Sequence, residues 1–169
     1  MAPNKPQHIL LPVRSRTIVA SFAVALLLMF LPWPDMRYVP DFVALVLLFW
    51  CVHQPRMIGL GIGWVIGLVA DAGNGVLLGQ HALAYVLLAF FSISFSRRIL
   101  WFGPWYQALH ILPLLVLAQG AVLLVRLVNG AALPGWQILV GPLLGAALWP
   151  IVSWLLLLPQ RRALEAGSL

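Results

Sequence analysis

The stretch GLVADAGNGVLLGQ, Gly67–Gln80, sets one carboxylate, Asp71, at the end of an apolar run and follows it with glycines. A charge among hydrocarbon side chains is expensive unless it is paired or hydrogen-bonded, so the surroundings of Asp71 decide how the chain is read. Upstream, Gly59, Gly63 and Gly67 recur every four residues, and Asp71 is the next step of the series. In a helix that spacing lines one face, and small residues on a face let a second helix approach closely. The stretch is therefore the end of an apolar helix that holds Asp71 inside a bundle, followed by a glycine turn. A second small-residue pair, Gly141 and Gly145, is the candidate partner surface.

Working outward, 63% of the residues are hydrophobic and only 8% are charged, and the mean hydropathy is +1.01. These values lie outside the range of soluble domains, so the expected class is an all-α integral membrane protein. Apolar runs cover Thr17–Leu31, Phe42–Val52, Ile58–Ala70, Ala82–Phe95, Ala108–Val128 and Ile138–Leu158, which predicts about six transmembrane helices. Several runs are shorter than the roughly 20 residues that cross a bilayer, above all Phe42–Val52, and must extend into their polar flanks. The chain is read as one membrane domain, 1–169: an N-terminal arm over 1–16, a helical bundle over 17–158 and a tail over 159–169. The first run follows Lys5, Arg14 and Arg16 as a signal peptide would, but it ends in FLPWPD without a small-residue cleavage site, so it is taken as a retained helix.

Basic residues set the orientation, because loops facing the cytoplasm carry the Lys and Arg. With both termini inside, Lys5, Arg14, Arg16, Arg56, Arg97, Arg98, Arg161 and Arg162 are cytoplasmic, and only Arg37 and Arg126 fall outside. Trp33, Tyr38 and Trp136 then lie near the outer surface and Trp50, Trp101, Trp105 and Tyr106 near the inner one. The segment SRRILWFGPWYQ, Ser96–Gln107, is expected to be an anchor, with Arg97 and Arg98 reaching anionic headgroups and the tryptophans at the interface. The formal charge of +6 comes from scattered arginines, which points to topology and membrane lipid rather than nucleic acid. A single cysteine, Cys51, excludes an intrachain disulfide.

For Asp71 two settings are open. The carboxylate is held by the backbone amides of the turn Gly73-Asn74-Gly75, or it pairs with Arg126 near the outer end of the fifth span. A catalytic role would need a second titratable group, and His81 is the one near in sequence. The histidines His8, His53 and His110 share no metal-ligand spacing, and the GLGIG at Gly59–Gly63 lies inside a span rather than between a strand and a helix. No catalytic residue, metal or cofactor is therefore expected.

Several of these elements resemble one family. LPWPD at Leu31–Asp35, the short second span ending in FW, the aspartate at Asp71 followed by Gly75 and Gly79, and LWP at Leu148–Pro150 together look like the rod shape-determining protein MreD family of bacterial inner membranes. The resemblance runs from about Phe30 to the last span. It implies a non-enzymatic scaffold subunit of the machinery that elongates the lateral cell wall, with MreC, the actin-like MreB, the glycosyltransferase RodA and a class B penicillin-binding transpeptidase as partners. It marks Asp35, Asp71, Gly75 and Gly79 as the residues to watch, beside Arg126, the candidate ion-pair partner of Asp71. The family is also similar in helix arrangement to the substrate-binding subunits of energy-coupling-factor transporters, which implies a rival: a small-molecule-binding subunit of a transporter. Such a carrier lines a cavity with hydrogen-bonding groups, whereas these spans contain little beyond Ser92, Ser94, Gln119 and Ser153. A third reading, an enzyme acting on a lipid-linked wall precursor, rests on Asp71, His81 and Arg126 meeting at the outer lip.

Overall fold

The computed structural model describes residues 15–33 and 39–166. Six α-helices follow one another: α1 (Ser15–Met29), α2 (Phe42–His53), α3 (Leu60–Asn74), α4 (Gln80–Leu100), α5 (Pro104–Val128) and α6 (Val140–Ala166), with one 3-10 turn at Trp136–Leu139. Each apolar run of the sequence lies in a helix of its own. Three stretches, Gln80–Leu100, Pro104–Val128 and Trp136–Pro159, are long and apolar enough to cross a membrane, while α1, α2 and α3 are shorter apolar helices.

The shortest helix occupies the middle. Every residue of α2 from Val43 to Val52 is buried, and α1, α4 and α6 pack around it. A helix that is apolar on all sides has no face to give to water and must be enclosed. At twelve residues it is about 18 Å long, short of a bilayer core. Because protein surrounds it, its ends can be polar at membrane depth without meeting lipid.

Two tryptophans fasten this centre to its neighbours, as buried indoles do when their N–H finds an acceptor. The Trp50 Nε1–H of α2 donates to Ser21 Oγ of α1 at 2.9 Å, and Ser21 Oγ donates to the Ile18 carbonyl. The Trp149 Nε1–H of α6 donates to Gln107 Oε1 of α5 at 3.0 Å, and Gln107 Nε2 donates to the Phe102 carbonyl in the α4–α5 connection. Phe49 lies between the two indoles, 5.0 Å from Trp50 and 6.2 Å from Trp149 by ring centroid.

The closest packing is between α3 and α4. A Cβ at Gly67 would fall on the backbone of Ala82, 2.6 Å from its nitrogen, and one at Gly63 would lie 3.0 Å from the Tyr85 carbonyl oxygen. Gly59 meets nothing within 4 Å; it is the N-cap of α3. The contact face therefore begins one turn later than the glycine series. The second pair does not serve this face. Gly141 lies against the Val39 carbonyl, and Gly145 against Leu115 of α5 and Leu45 of α2, so the surface that receives the α3 glycines is α4 and not α6. The reason is connectivity: a five-residue link folds α4 straight back onto α3.

Candidate functional site: a polar joint at one end of the bundle

The joint starts with the way α3 stops. Gly75 adopts φ +62°, its N–H donates to the Ala72 carbonyl, and the Val76 N–H donates to the Asp71 carbonyl at 3.2 Å. This is the paired hydrogen bonding of a Schellman end, which requires a left-handed residue after the last turn and so favours glycine. Four residues later Gly79, at φ +103°, is the N-cap of α4. The chain reverses between two glycines whose conformations an L side chain rarely adopts.

A glycine N-cap has no side chain to satisfy the first amides of its helix, which need acceptors. Asp71 supplies them from the neighbouring helix. Its Oδ2 accepts from the Gly79 N–H at 2.8 Å and the Ala82 N–H at 3.4 Å, and its Oδ1 accepts from the His81 N–H at 2.8 Å. His81 Nδ1 completes the set, 2.8 Å from Oδ1. A carboxylate accepts only, so Nδ1 carries the proton and donates. Asp71 is fully buried, and its negative charge sits at the positive end of the α4 dipole. One residue thus ends α3 through its carbonyl and begins α4 through its side chain.

One turn along α4 the joint reaches α2. Tyr85 packs its ring against His81, 5.8 Å between centroids, and its hydroxyl donates to Asp41, 2.9 Å from Oδ2 and 3.0 Å from Oδ1. Asp41 is the N-cap of α2 and accepts the Ala44 N–H at 2.8 Å. Both Tyr85 and Asp71 are at 0% exposure. The termini of three helices are therefore bound into a single cluster of Asp41, Asp71, His81 and Tyr85. Replacing Tyr85 by Phe is expected to destabilise the protein by about 1.5–3 kcal/mol, the range for a hydrogen bond to a charged group. Thermal unfolding in detergent checks this, and a Tyr85→Phe melt identical to wild type would show that the Asp41 bond contributes nothing.

The carboxylate's partners differ from both settings drawn from the sequence. The Gly73–Gly75 amides are spent inside the helix end, and the acceptors of Asp71 face the amides of Gly79, His81 and Ala82 instead. Arg126 is exposed near the end of α5 and makes no ion pair with Asp71, whose short-range donors already surround both oxygens. Gly75 and Gly79 shape the turn, and Asp35 lies outside the described residues. Asp41 and Tyr85 were missed. Asp41 had a legible signal, an Asp immediately before an apolar helical run; Tyr85 had none, because its partner is 44 residues away. Among the described residues no group of three or more His, Cys, Asp and Glu converges as a metal site would.

An all-helical bundle of this composition, with three helices long and apolar enough to cross a membrane and its buried acid Asp71 spent on joining helix ends, defines a helical membrane protein. Residues 12–158 match the family described as rod shape-determining protein MreD. The chain belongs to the MreD family, whose role is in determining cell shape. It is 29% identical over 148 residues to the Rod shape-determining protein MreD of Haemophilus influenzae, covering 86% of this chain and 89% of that one. No solved structure matches it.

Proposed function

We propose that this chain is a non-enzymatic scaffold subunit of the bacterial inner-membrane machinery for cell-wall elongation, and that its partners are MreC, MreB, RodA and a class B penicillin-binding transpeptidase. The observation that carries the reading is the use of the polar groups at this end of the bundle. Asp41, Asp71, His81 and Tyr85 hydrogen-bond to one another and to helix ends, so both oxygens of Asp71 are spent on fixing shape, and His81 Nε2 takes no part in the joint. What remains to be offered is helix surface, apolar along α1 (Val19, Val24, Leu27) and α3 (Trp64, Val65, Val69). In lipid such surfaces associate by packing rather than by the hydrophobic effect, which suits a transmembrane partner such as MreC. A carrier would need a cavity rich in hydrogen-bonding groups, and the centre of this bundle is filled by α2.

In this reading the chain passes through the membrane six times as one domain, α2 and its connecting segments doing so inside the other helices, with the 1–16 arm and the 159–169 tail in the cytoplasm and the Asp71 joint at the outer face. Asp71, Gly75 and Gly79 act in it as structural residues. Two measurements test it. Alkaline phosphatase fused after Gly79 is expected to be active and a fusion after Arg98 inactive; the reverse pattern would invert the orientation. The tagged chain isolated in mild detergent from native membranes is expected to bring MreC with it. Absence of MreC from that isolate, together with rod-shaped growth of depleted cells, would defeat the scaffold reading.

A further inference from the structure

We infer that the groove between α4 and α5 is a binding site for one anionic phospholipid, with its acyl chain between the helices and its headgroup phosphate on Arg98. The groove has a volume of about 340 Å³. Phe91 and Phe95 of α4 form one wall, their rings parallel and 6.4 Å apart, and Pro113 and Leu117 of α5 form the other. Its two polar residues, Arg98 and His110, are not scattered along it. By helical rise Phe91 is about 10 Å deeper than Arg98, and Leu117 is about 10 Å deeper than His110. Both polar residues therefore sit at the end nearest the α4–α5 connection, and the deep end is hydrocarbon.

That polarity is the outline of a phospholipid. The same end carries Trp101 and Trp105, 91% and 77% exposed, which is where indoles sit at a headgroup layer. Charge complementarity selects the headgroup. Arg98 is exposed and, among the described residues, has no ion-pair partner, so a phosphate at the mouth would supply the missing anion. His110 stacks on Phe102 at 4.6 Å, and its Nδ1 lies 2.9 Å from the Tyr106 carbonyl. A carbonyl cannot donate, so Nδ1 carries the proton and Nε2 is the acceptor nitrogen, suited to a headgroup hydroxyl such as that of glycerol. Arg97, the adjacent arginine, does not line the groove. The site is thus distinct from general attraction of a basic surface to an anionic leaflet. It rests on the chain lying in a bilayer and on no protein partner.

The test is native mass spectrometry of the purified, delipidated full chain, mixed in detergent with equal amounts of dioleoyl phosphatidylglycerol and dioleoyl phosphatidylcholine. The wild type is expected to retain a single phosphatidylglycerol with a preference of about fivefold or more, the ratio that one arginine facing a net anionic headgroup supports over phosphatidylcholine, whose phosphate is offset by its own choline cation. Arg98→Gln is expected to bring the ratio close to one, and Leu117→Trp, which fills the deep end, to reduce retention of both lipids. Arg97→Gln is the control and is expected to keep most of the preference. Circular dichroism melts identify any variant that has lost its fold, and Phe91→Trp replaces Leu117→Trp if the latter has. Equal retention of the two lipids by the wild type would overturn the site. So would a preference that survives Arg98→Gln or falls with Arg97→Gln alone, or a retention of lipid that groove filling leaves unchanged.

Discussion

Replacing Asp71 by Asn is expected to destabilise the protein by about 3 kcal/mol or more, although the two side chains have nearly the same shape. Both carboxylate oxygens are acceptors for N–H donors. An amide keeps one oxygen and turns an NH2 toward the donors of the other, whichever way it is flipped. Each buried donor left unsatisfied costs about 1–3 kcal/mol, and the charge assistance is lost as well. Asp71→Ala removes all the acceptors and is expected to cost about 3–5 kcal/mol by the same reasoning. Arg126→Ala is expected to be close to neutral, within about 0.5 kcal/mol, as an exposed side chain away from the joint should be. The charge reversal Asp71→Arg with Arg126→Asp should recover nothing. Thermal unfolding of the four variants in one detergent measures this ranking. An Asp71→Asn protein with normal stability, normal abundance and intact MreC binding that still failed to support rod shape would show that Asp71 performs chemistry, and the structural account of it would be wrong.

The glycine series is expected to respond in steps. At Gly67 a methyl group would overlap the Ala82 backbone, with the His81 carbonyl carbon also within 2.8 Å, and no side chain can rotate aside to make room. The helices would have to separate, which typically costs 1–3 kcal/mol for an overpacked site. Separation here would also draw Asp71 away from the amides of α4, so Gly67→Ala is expected near the top of that range, about 3 kcal/mol. Gly63→Ala, 3.0 Å from the Tyr85 carbonyl oxygen, should be milder, about 1 kcal/mol. At Gly59 the space is open, and Gly59→Ala is expected to change stability by no more than the few tenths to about 1 kcal/mol of an N-cap replacement. The order of melting temperatures, Gly59→Ala above Gly63→Ala above Gly67→Ala, is the observable. Equal effects at all three would mean that helix propensity, not the α3–α4 contact, governs the series.

Much of the fold is legible in the chain, because a membrane protein writes its elements as runs of apolar residues that need no partner to be recognised. Phe42–Val52 and Ala108–Val128 could be read as helices from composition alone. The glycine spacing marked a packed face, and the helix period put Asp71 on it. The sequence alone also established that Asp71 must be satisfied, since burial of a bare carboxylate is too costly. It did not establish by what. Apart from the His81 ring, the donors of Asp71 are backbone amides eight to eleven residues on, and backbone groups are the same at every residue, so no side-chain pattern reports them. The tertiary structure decided that α4 receives the α3 glycines, that α2 sits in the middle, and that Tyr85 ties α4 to the cap of α2. Those outcomes depend on distances between residues far apart in the chain, such as Asp41 and Tyr85, and become definite only when close packing selects one arrangement of helices that local periodicity leaves free to pack in several ways.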